Sequence, residues 1–100
     1  MSDEQYEEFC QMVAAIERMT AHLSSLGKAK QFPAFQNILA MGDTARTFIF
    51  REMRRGDWRW LWFELLAELV PGVNPVSEWQ RGKIDEMSAA WLKLAEIKKW

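Results

Sequence analysis

Cysteine is nearly absent from this chain. Cys10 stands alone among 100 residues, so no disulfide can close within one copy and no thiolate cluster can hold zinc. Histidine is equally scarce, with His22 its one example. A serine–histidine–aspartate triad, a cysteine–histidine pair and a histidine-rich metal centre therefore each lack a part or a placement. On one helix Cys10 and His22 would stand ~18 Å apart at a rise of ~1.5 Å per residue, too far to meet within a monomer. No glycine-rich phosphate loop is present, and no cofactor or metal is expected. No apolar run approaches the ~18 residues of a membrane span. No basic start leads into a secretory apolar stretch. The expectation is a cytoplasmic protein of a reducing compartment, bacterial or phage-borne in style.

Helix breakers are few as well. Five glycines and three prolines leave room for long ordered elements, and no segment shows the alternation of a strand. Hydrophobic residues make up 49% of the chain and charged residues 27%, which suits a folded domain rather than a disordered segment. The length predicts one domain over residues 1–100 with a core of its own. What is plentiful is unusual: six Trp, six Phe and six Met against one Tyr.

Net charge is −1, but the charges are segmented. Residues 1–26 carry −4, residues 27–60 carry +4 and residues 61–100 carry −1.

Ser2 and Gln5 have the spacing of a capping box, and Tyr6, Phe9, Val13, Ile16, Thr20 and Leu23 step by three and four. A first helix over 3–26 is predicted, stopped by Gly27. After the basic connector 28–30, Pro33 suits a first helical turn. A short helix then runs to Gly42, and a third, capped by Asp43 or Thr44, runs to Gly56. One continuous helix through Gly42, at a cost of ~1 kcal/mol, is the other option. Asp57 is expected to cap a helix from Trp58 to Val70. It is apolar nearly all round, as a helix at the centre of a bundle would be. Pro71-Gly72 and Asn74-Pro75 make turns, and Ser77 with Glu78 opens the last helix, read on Ile84, Met87, Trp91 and Leu94.

The chemistry worth weighing sits in two places. Residues 48–62 interleave Arg51, Arg54, Arg55 and Arg59 with Phe48, Phe50, Trp58, Trp60 and Trp62. Such a pattern can grip phosphates and stack on bases, or form a protein-binding hot spot. It can equally be a core helix whose arginines pair with the acids of helix 1. Trp58, placed in a first helical turn beside the Gly56-Asp57 junction, is the Trp expected to be exposed. The second place is the acidic start, Asp3, Glu4, Glu7 and Glu8, which complements the helix dipole or engages a basic partner. Glu7/Glu8 and Glu64/Glu68 are paired carboxylates of the kind acid–base catalysis uses, but helices present such pairs routinely as solvated surface.

Two resemblances follow from these residues. Trp60-Leu61-Trp62, Asn74-Pro75-Val76, Arg81-Gly82-Lys83, Met87 and Ala90-Trp91-Leu92 together resemble a tryptophan-rich helical module of uncharacterised bacterial and prophage-borne proteins. The resemblance covers about residues 57–92. It implies a helix–turn–helix packing unit and no activity. Val70-Pro71-Gly72-Val73 is longer than the link expected there. In profile, the chain as a whole is similar to the small phage-encoded anti-CRISPR proteins, a group without a shared motif. That similarity implies a compact protein that blocks a type I surveillance complex.

The reading is an all-α bundle of about five helices, in which helix 1 and the C-terminal helix clasp the tryptophan-rich one. The function expected is binding without turnover: occlusion of a larger protein partner, with Arg54, Arg55, Trp58, Arg59, Glu7 and Glu8 at the contact. A nucleic-acid-binding accessory protein using the Arg/Trp segment is the alternative. A structural homodimer through helix 1 is the third reading.

Overall fold

Five α-helices form the computed structural model, which describes residues 3–20 and 30–100. They are α1 (Asp3–Thr20), α2 (Pro33–Ala40), α3 (Asp43–Arg54), α4 (Trp60–Leu69) and α5 (Ile84–Lys98), with a 3-10 turn at Glu78–Gln80. Among the described residues there is no strand, and the fold is the expected all-α bundle. The Ser2 cap, His22, the end of the first helix to residue 26, its Gly27 stop and most of the basic connector lie outside the described residues. No described helix is long and apolar enough to cross a membrane.

The three-and-four spacing of α1 buries Phe9, Val13 and Ile16, and α1 packs most extensively on α2. Pro33 opens α2 at a position whose N–H has no helical partner, and Phe35 and Ile38 face inward. Gly42 settles the length of the next element. Its φ of +58° suits glycine and breaks the helix, so 33–54 is two helices. Neither Asp43 nor Thr44 caps α3. Gly42 holds the cap position without a side chain, and Asp43 lies in the first turn, paired with Arg46 at 3.2 Å.

The central element is α3, not the tryptophan-rich helix. Consecutive residues of a helix point about 100° apart, so the buried trio Phe48, Ile49 and Phe50 gives α3 core contacts over much of its circumference. Phe48 meets Tyr6 and Phe9 of α1, each at 5.3 Å between centroids. Phe50 meets Trp91 of α5 at 6.4 Å and stacks on Trp100 at 5.9 Å. α3 thus packs against α1, α4 and α5.

Two helix starts differ from expectation. α4 begins at Trp60, because residues 57–59 remain outside the helix and Arg59 is extended at its cap position. Ser77 does cap, but it caps the 3-10 turn, through a capping box with Gln80. Gly82 at φ +85° then turns the chain, and α5 starts only at Ile84. α5 packs chiefly on α3 rather than back on α4, so 57–92 is not a self-contained helix–turn–helix unit.

On α5 the small residues Ser88 and Ala95 are both fully buried, on the same face as Trp91 by helical spacing. The Ser88 hydroxyl has no hydrogen-bond partner among the described residues. A buried, unpaired hydroxyl costs ~1–3 kcal/mol of desolvation. Ser88→Ala removes it with almost no change of volume and is expected to stabilise the protein by ~1 kcal/mol. Urea denaturation reads this directly. An unchanged or lower midpoint would mean that the hydroxyl finds a partner in solution.

Candidate partner-binding surface

The link between α3 and α4 is built by two indole hydrogen bonds. Trp62 Nε1–H donates to the Asp57 carbonyl at 2.9 Å, and Trp58 Nε1–H donates to the Met53 carbonyl at 3.1 Å. Both bonds reach back five residues, hold 57–59 off the helix and fix each ring. Gly56, at φ +90°, makes the turn that allows it. Extended backbone sends alternate side chains to opposite sides. Arg59 therefore turns toward α1, while its neighbours Trp58 and Trp60 remain 41% and 44% exposed. Trp60 leans edge-on against Phe63 at 5.9 Å.

Arg59 is an internal strut. Its Nε donates to Asp57 at 2.9 Å, its Nη1 donates to Glu17 of α1, and its guanidinium lies 5.5 Å from the centroid of the Trp62 ring. Asp57, then Glu17 and Glu52, hold its pKa above the ordinary arginine value against the opposing effect of partial burial. Nearby, Tyr6 Oη–H donates to Glu52, and Arg51 sits over the Tyr6 ring. The Glu52 bond, followed by burial and Cys10, pushes the Tyr6 hydroxyl from 10.0 to about 12. Any stabilisation from this shift is complete below pH 10 and fades as the pH rises toward 12. Phe9, Val13, Cys10 and Trp62 close a small hollow beside these charges.

The arginines thus divide. Arg59 pairs with Glu17 of α1, as one reading of the sequence has it, whereas Arg51 meets α1 through the Tyr6 ring and not through an acid. Arg54 instead turns toward α5 and donates to the Trp100 backbone oxygen at 2.7 Å. Arg55 remains 63% exposed and only loosely paired, with Glu52 at 3.7 Å. Glu7 and Glu8 are exposed on α1 and form no ion pair among the described residues. Glu8 borders a shallow hollow shared with Ala34 and Asn37 of α2, so the acidic start and the arginines are separate features. Glu64 and Glu68 share Lys30, at 3.8 and 2.9 Å, and its pKa is raised by Glu68 and then Glu64.

Trp58 is exposed, as expected, but two further Trp are exposed with it. Trp60 exceeds it slightly, and Trp79 on the 3-10 turn reaches 66%. Trp60 was open to a stricter reading of the helical wheel. At about 100° per residue it falls on the far side from Trp62 and Leu69. Nothing local marks Trp79.

No family model, curated protein or solved structure matches this chain.

Proposed function

We propose that the protein acts by stoichiometric binding, covering the working surface of a larger partner complex with Trp58, Trp60 and Arg55 at the centre of the contact. The observation that carries this reading is Trp58. The residue is 41% exposed while its indole N–H is tied to Met53. A large apolar group fixed in advance loses little conformational entropy on binding, and Trp with Arg is hot-spot composition. The similarity in profile to anti-CRISPR proteins makes a type I surveillance complex the first partner to test.

The two other readings have less support. Arg51, Arg54 and Arg59 already have intramolecular partners, so a grip on phosphates would have to disrupt them. The helix 1 seam of Phe9, Val13 and Ile16 is buried within one chain, so self-pairing would need another face of α1.

Purified protein is expected to co-elute with the surveillance complex on size exclusion and to block its loading onto target DNA. Separate elution would remove that partner. Trp58→Ala with Arg55→Glu should weaken binding by about 2–4 kcal/mol, about 30- to 1,000-fold, with the helical circular dichroism unchanged. Cys10→Ser and His22→Ala should bind as wild type. Loss of function in either folded variant would point to chemistry instead of occlusion. Steep salt dependence of affinity for free DNA or RNA would favour the nucleic-acid reading.

A further inference from the structure

The C-termini of α3 and α5 meet at one end of the bundle, where a second surface lies. α5 ends unusually. Lys99 takes a left-handed conformation at φ +60°, a position that glycine normally fills. The Trp100 N–H then bonds to the Ala95 carbonyl at 2.8 Å, and the Lys99 N–H to that of Glu96 at 3.3 Å. This reversal folds Trp100 back onto α3, where Phe50 stacks on it and the Arg46 guanidinium sits 4.3 Å from its ring centroid. It also opens a groove along the outer side of α5. The floor is apolar, with Ala89, Leu92 and Trp100, and the charged rim is Arg54, Lys93, Lys99 and Glu96.

Three cations against one acid line this groove. Lys93 and Lys99 are exposed and form no ion pair among the described residues. Part of the positive charge answers the carbonyls of two helix ends, as Arg54 does through the Trp100 oxygen. Lys93 lies one and a half turns before the end of α5, where the helix dipole has little hold on it.

We propose that this groove docks an acidic, amphipathic protein segment, with carboxylates on Lys93 and Lys99 and apolar side chains on Leu92 and Ala89, while Arg54 stays on the Trp100 oxygen and shapes the rim. The choice of protein over nucleic acid rests on the floor. Single-stranded nucleic acids are held by successive bases stacking on several rings. Here the one aromatic is engaged by Phe50 and Arg46, and the remainder of the floor is aliphatic. The groove contains neither Trp58, Trp60 nor Arg55, so this inference stands or falls apart from the reading above.

The test uses the whole protein and a fluorescent synthetic peptide with glutamates and leucines at helical spacing, beside a version with glutamine for glutamate. The glutamate peptide is expected to bind and the glutamine version to bind about tenfold more weakly. Lys93→Glu with Lys99→Glu should cost about tenfold or more in affinity for the glutamate peptide, and Glu96→Gln should strengthen it. Trp58→Ala should have no effect. Lys93→Glu alone, in mid-helix, keeps the test open should the reversal at Lys99 disturb the chain end. The proposal is overturned if the glutamate peptide does not bind, or if folded Lys93→Glu binds it as wild type does. It also fails if a single-stranded oligonucleotide competes at lower concentration, or if the mass doubles with concentration and the same variants abolish the doubling. Those last two results would assign the groove to nucleic acid or to a second copy.

Discussion

Trp62→Ala is expected to lower stability by ~3–5 kcal/mol, most of what a domain of this size possesses. The ring is 2% exposed and stacks on Phe9 at 5.8 Å with an interplanar angle of 14°. Its N–H also holds Asp57, and Arg59 lies over it. Truncation therefore opens a cavity between α1 and α4 and loosens the link that positions Trp58. The melting midpoint should fall by more than about 15 °C. Trp62→Phe, which keeps much of the volume but not the N–H, should fall between the two proteins. Trp91, 4% exposed and packed on Phe50, should behave like Trp62 on truncation to Ala. Melting of either Ala variant within a few degrees of wild type would overturn this account of the core.

Charge reversal should separate two arginines only four residues apart. Arg59→Glu places a carboxylate among Asp57, Glu17 and Glu52, the acids that hold the guanidinium in place. It also leaves the Trp62 ring without its cation. The site is part-exposed, and solvent screening moderates the loss, so about 2 kcal/mol is expected. Arg55→Glu, at a side chain 63% exposed, should stay within about 0.5 kcal/mol of wild type. Urea denaturation of the two variants at low salt, where the ion pairs are not screened, makes the comparison. Equal midpoints would mean that the Arg59 contacts contribute nothing net. The practical consequence concerns binding assays. Arg59 is a poor probe of the partner surface, because its reversal damages the scaffold, whereas Arg55 with Trp58 is a clean one.

Much of this was legible without coordinates. Helical periodicity placed Phe9, Val13, Ile16, Trp62 and Trp91 in the core, and all five are buried. Periodicity succeeds there because one buried face is a local property of a helix. The starts of α4 and α5 were less legible. An Asp after Gly56 and a Ser before Glu78 are ordinary cap signals. What displaced the first was the Trp62 indole bonding to the Asp57 carbonyl, with Arg59 drawn across to Glu17, forty-two residues away. A propensity rule has no access to such a partner.

The candidate sites divide along the same line. Sequence alone determined the all-α class, the apolar stripes, the break at Gly56, and the mixture of arginine and tryptophan over 48–62. Each follows from spacing or from backbone freedom within a few residues. The break at Gly42 was decided by its backbone conformation. Only the tertiary structure decided that α3, not α4, is the centre. It alone showed that Arg59 is a strut while Arg55 is exposed, and that Trp100 folds back to form a groove with Arg54 and Lys93. The reason is the geometry of the charges. A guanidinium at the end of a long side chain can reach solvent, its own helix or a neighbour at similar cost. Which of these it does is set by where distant carboxylates and rings come to rest once the core has packed.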